Sequence, residues 1–169
     1  TVLRPLARKA ENLNTQDIAH RSGGNYRIAL DEYLGKNQDN NRLLDLFKQC
    51  LRATVDAQPV RFRSLSDELA SLSKDEQLQL LAYFARTFRE LFIANYEIPK
   101  VSYLRNDEQP IAQYIKACLN IDNISLILDE LDLATRHITQ NVNSKIVFFD
   151  LIAHLTAILS SEYKRHHIR

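Results

Sequence analysis

Asp150 and His154 stand one helical turn apart in KIVFFDLIAHLTAIL, an otherwise apolar run, where a carboxylate and an imidazole could hold a metal ion or work as a general base. A metal site needs at least three protein ligands, and no Glu-x-x-His pair or suitably spaced second carboxylate accompanies them. A hydrogen-bonded polar pair in or beside the core is the expectation, with a small helical metalloenzyme as the alternative. Asp17 and His20 repeat the pattern more faintly. Cys50 and Cys118 fall at apolar helical positions with no C-x-x-C spacing, and are expected as reduced core residues. No G-x-x-x-x-G-K-[ST] loop exists, and Gly23-Gly24 is too sparse to cradle a pyrophosphate, so independent nucleotide hydrolysis is excluded. No serine sits in a G-x-S-x-G elbow.

The elements that must position these residues are helical. With 45% apolar and 25% charged residues in 169, the composition is that of a folded domain, and three glycines and four prolines are too few for the turns of an all-β fold. The longest element is expected over Ser73–Tyr96. Ser73 and Glu76 form a capping box at its start, and Leu78, Leu81, Ala85, Phe88 and Phe92 follow a 3-4 spacing. Leu80, Phe84, Leu91 and Ala94 widen the apolar face until only Gln79, Arg86, Glu90 and Glu97 are left as a polar side, with Arg86 and Glu90 spaced to pair. Such a helix belongs in the middle of a bundle.

Around it, Leu3–Leu13, a short helix through Ile18 and Ala19 ending at Gly23-Gly24, and a third through Ile28, Ala29, Tyr33 and Leu34 make a first unit, ended by Gly35. The polar stretch KNQDNN, residues 36–41, is the expected boundary. Leu43, Leu44, Phe47, Cys50, Leu51 and Val55 mark the next helix, closed by Pro59, and Phe62–Leu72 a shorter one. Helical spacing resumes over Glu108–Leu119 and Ile124–Ile138, and Asn143 caps the last helix, which must be deeply buried or lie in an interface. The formal charge is +1, and the basic tail EYKRHHIR suits a helix C-terminus, so direct DNA binding is not expected. No apolar run approaches the roughly 20 residues of a membrane span, and no secretory signal opens the chain, which points to a cytoplasmic protein with no membrane partner. Methionine is absent, even from position 1, as in a processed terminus or a fragment of a longer protein.

The stretch IAHRSGGNYRIALDEYL, residues 18–34, resembles the lid subdomain of AAA+ clamp-loader subunits, in which a short helix ends in a glycine turn and the next begins G-x-x-R, here Gly24-Asn25-Tyr26-Arg27. NRLLDLFKQCLRA, LSKDEQLQLLAYFARTFRELFIANY and ATRHITQNVNSKIVFFDLIAHLTAIL follow in an order similar to the C-terminal half of bacterial DNA polymerase III delta-prime subunits, above all those of Bacteroidetes type. The resemblance implies an all-α chain: a short three-helix lid remnant over residues 1–35 and a helical-bundle collar over 36–169. It implies a non-catalytic part, without a cofactor, that assembles with the other clamp-loader subunits through the collar and meets the sliding clamp and primed DNA only through the whole complex. Arg27 matches the position of the second sensor arginine, near a nucleotide, and Phe148, Phe149, Leu151, Ile152 and Leu155 are the residues expected at the assembly interface. The AAA+ core is not in this chain, and a stand-alone helical interaction adaptor is the other reading of the same pattern.

Overall fold

The computed structural model describes residues 37–95 and 108–167, with 37–40 and 161–167 as backbone only. The expected lid helices, Arg27, Asp17, His20 and Gly23-Gly24 lie outside the described residues. Those described are all-helical: α1 Asn37–Val55, α2 Pro59–Ala70, α3 Lys74–Asn95, α4 Gln109–Ile115, α5 Ile121–Thr139 and α6 Ser144–His167. None is long and apolar enough to cross a membrane. The chain divides into two compact units, Thr1–Arg42 and Leu43–Arg169.

The chain is helical from Asn37 onward, within KNQDNN, and the division between the two units falls just after that stretch, between Arg42 and Leu43. A first helical turn needs no apolar residue; the apolar pattern begins only where α1 meets the core, at Leu44, Leu46 and Phe47. Helix α1 ends with Ala57 in the left-handed region (φ 48°), while Gln58 N–H donates to Ala53 O at 3.0 Å and Ala57 N–H to Thr54 O at 3.2 Å. An alanine there costs roughly 1–2 kcal/mol that glycine would not. Pro59 follows the end of α1, as expected, and also opens α2 at its first turn, where a missing N–H is harmless.

Helix α3 is centred as its spacing predicts. Ser73 N–H donates to Glu76 Oε2 at 2.8 Å and Glu76 N–H to Ser73 Oγ at 3.3 Å, which completes the capping box. Leu80, Leu81, Phe84, Phe88 and Leu91 are buried, and Leu78, Ala85 and Phe92 pack against that core. Phe47 of α1 meets Phe84 and Phe88 edge-on, with ring centroids 5.0 and 5.1 Å apart. The expected polar side is only partly polar: Gln79 is exposed, but Glu90 is buried and Arg86 half-buried, because α3 also has neighbours on that side.

Helix α5 starts three residues earlier than its apolar pattern. Asn120 Oδ1 accepts from Asp122 N–H and Asn123 N–H at 2.9 and 3.0 Å, and Asn123 Oδ1 accepts from Asn120 N–H at 2.9 Å. This is a capping box built from two asparagines, outside the Ser/Thr and Glu/Gln pattern sought in the sequence. At the other end Asn141 takes the left-handed cap (φ 62°), and Asn143 Oδ1 accepts from Lys145 N–H at 3.0 Å as expected of the cap of α6. Helices α3 and α6 both pack on α5, and α2 packs on α6. Buried Gln77 ties two turns together, donating to Leu72 O at 2.8 Å and accepting from Ser144 Oγ at 2.9 Å. Lys74 Nζ donates to Thr139 O and Asn141 Oδ1 at 2.9 and 2.7 Å, which fixes the α5–α6 turn against α3.

Candidate functional site

Helix α6 alternates between core and surface every one or two residues, and this sorts the expected interface residues. Phe148, Leu151, Ile152 and Leu155 are buried in the chain's own core, while Phe149 is 46% exposed. Ile146, three residues earlier, is 65% exposed, and Ala153 and Ala157 continue the same face at helical spacing. On one side of this strip the Phe149 ring stands edge-on to Phe62 of α2, centroids 6.4 Å apart, so the exposed aromatic is held in place from beneath. The strip is an apolar helix face with Phe149 packed on Phe62.

Its other border is Asp150 and His154. Both side chains are about half exposed, and the imidazole lies between two carboxylates. His154 Nδ1 is 2.8 Å from Glu130 Oε2 of α5, and Nε2 is 3.7 Å from Asp150 Oδ1. An ionised carboxylate only accepts, so Nδ1–H donates to Glu130. That hydrogen bond, with the negative charge of Glu130 and then Asp150, raises the His154 pKa above its ordinary value, against a smaller opposing effect of burial. The expected pair is therefore a surface bridge between α5 and α6 with Glu130 as its main partner. With both ring nitrogens facing carboxylates, neither is directed at a serine or a cysteine. Among the described residues no group of three His, Cys, Asp or Glu could hold a metal ion.

The bridge has a pH signature. A folded pKa above the unfolded value of about 6.5 means that the stabilisation is complete below that pH and is lost as pH rises through the folded pKa. Because the side chains are exposed, the effect is under about 1 kcal/mol. The difference in urea midpoint between wild type and His154→Gln is expected to be larger at pH 5.5 than at pH 9; an equal difference at both would remove the charge contribution.

Cys50 and Cys118 are both buried, as expected of core residues, and burial pushes the Cys50 thiol up and away from the reactive thiolate. The most enclosed charged group among the described residues was not singled out by sequence. Glu108, just before α4, is fully buried; it accepts from Tyr83 Oη at 2.8 Å and pairs with Arg86, whose guanidinium also lies over the Tyr83 ring, 5.2 Å from its centroid. Burial, then the neighbouring Glu108 carboxylate, drives the Tyr83 phenol up. The cluster fastens the start of α4 to α3. No protein-family model, curated protein or solved structure matches the chain. Among the described residues, the α6 face is an exposed apolar feature on which a function can be proposed.

Proposed function

We propose that this chain is the C-terminal part of a clamp-loader subunit of the delta-prime type, with residues 36–169 as its collar and residues 1–35 as the end of its AAA+ lid. Its work in this reading is assembly: the collar binds neighbouring clamp-loader subunits, and the complex, not this chain alone, places the sliding clamp on primed DNA. It takes no catalytic part and acts in the cytoplasm. The observation that carries the reading is the Ile146–Phe149 face of α6, an exposed apolar strip in the stretch HITQNVNSKIVFFDL, where the sequence resemblance is most specific. Single exposed apolar residues are ordinary, but an isoleucine and an aromatic one helical turn apart, seated on a second helix, have the make-up of an interface centre.

The test is a double substitution, Ile146→Glu with Phe149→Glu. Both side chains already reach solvent, so the thermal midpoint is expected to stay within a few degrees of wild type. Association with partner subunits, read by size-exclusion chromatography and titration, is expected to weaken at least tenfold, in line with roughly 2 kcal/mol or more for a central aromatic. Undiminished association would place the interface elsewhere; association by neither form would count against the assembly reading.

A further inference from the structure

A cleft of about 340 Å³ opens between α1 and α4, lined by Lys48, Leu51, Arg52, Pro110, Ile111 and Tyr114. Its floor is apolar, since Leu51 and Ile111 are buried members of the core, and Pro110 and the Tyr114 ring form one wall. The opposite wall is α1, which presents Lys48 and Arg52 one turn apart, so that both cations lie on one side of the helix. Among the described residues neither cation has a carboxylate partner. Tyr114 is braced by its hydroxyl, which donates to Asp56 Oδ1 at 3.0 Å. We propose that this cleft is a docking site for a short extended peptide segment of a partner protein carrying the pattern acid, apolar, acid.

Charge and spacing select that occupant. Four residues at a rise of about 1.5 Å each separate the two cations by about 6 Å along α1. In an extended peptide, residues i and i+2 share a face and lie roughly 7 Å apart, which matches two carboxylates to Lys48 and Arg52. Residue i+1 then turns to the opposite wall, where a leucine or phenylalanine side chain covers Pro110 and the Tyr114 ring. A nucleic-acid strand fits less well. Two cations are few for a phosphodiester backbone, and the chain as a whole carries a formal charge of only +1. The site is separate from the α6 face, so its failure leaves the assembly reading standing.

The experiment selects a displayed library of random hexapeptides on the whole 169-residue chain, with counter-selection on Lys48→Glu/Arg52→Glu. The enriched sequences are expected to share the acid, apolar, acid pattern. A fluorescein-labelled peptide of the consensus is expected to bind saturably in anisotropy and to weaken at least tenfold with Lys48→Ala/Arg52→Ala, with Tyr114→Ala, and on raising salt from 50 to 300 mM, as desolvated charge pairs at an apolar anchor require. Circular dichroism of the alanine variants checks that α1 is intact. No sequence enriched on wild type over the charge-reversed protein would overturn the proposal. So would a consensus without acids, or tighter binding of a ten-residue oligothymidylate than of the peptide at equal salt. Concentration-dependent self-association that the same variants abolish would assign the cleft to a second copy of the chain and would overturn it too.

Discussion

Phe47→Ala is expected to lower the stability of the protein by about 3–5 kcal/mol, the range of a buried phenylalanine truncated in a core. The ring is almost fully buried, and it meets Phe84, Phe88 and Tyr83 edge-on with centroids 5.0, 5.1 and 6.2 Å away. Each such pair adds roughly 0.5–1.5 kcal/mol beyond the area it buries, and the alanine leaves a cavity that neighbours on two helices cannot both fill. A domain of ordinary stability, about 5–15 kcal/mol, would lose a large share of it. Phe47→Leu keeps most of the volume and is expected to cost less than half as much. Urea denaturation followed by far-ultraviolet circular dichroism measures both; a loss under about 1 kcal/mol for the alanine variant would mean that α1 is not seated on α3 as described.

Glu108→Ala is the second large effect. It removes the acceptor of the Tyr83 hydroxyl and the anion paired with Arg86, and neither partner is fully free to recover in water: Tyr83 is buried and the Arg86 side chain is only 39% exposed. Breaking a buried pair by deleting one partner costs about 3–5 kcal/mol; the partial exposure of Arg86 brings the expectation to roughly 2–4 kcal/mol. Glu108→Gln keeps an acceptor for the tyrosine and should cost less, and Tyr83→Phe alone about 1 kcal/mol. A double-mutant cycle on Tyr83→Phe and Glu108→Gln, read by urea denaturation, is expected to give a coupling energy above roughly 0.5 kcal/mol; strict additivity would separate the two residues energetically.

These two effects also mark what could be read in the sequence. The Phe47 position and the apolar face of α3 follow from spacing alone, because a helix repeats locally and its core face is fixed by residues three and four apart. The capping residues Ser73 and Asn143 are local in the same sense, and the structure carries their hydrogen bonds. Glu108 is different. Its partners are 22 and 25 residues away, and the local pattern offered Arg86 a nearer partner in Glu90, a residue that packing buries. Similarly, Asp150 and His154 show their one-turn spacing, but Glu130 reaches the imidazole from another helix, which no spacing within α6 reveals. The apolar run of α6 was the hardest to divide. Phe148 and Phe149 are adjacent and chemically identical, and only the placement of α2 and α5 sends one to the core and the other to the surface. The Asn120–Asn123 box could have been found had asparagine been allowed in both capping roles.

Assembly with clamp-loader subunits is the function proposed for this chain. Its most direct measurement is reconstitution of the tagged chain with the other clamp-loader subunits of the same organism, followed by affinity capture and sizing by light scattering. The expected result is a defined hetero-complex in fixed stoichiometry, lost with Ile146→Glu/Phe149→Glu while that variant remains folded. A folded chain that stays alone would contradict it.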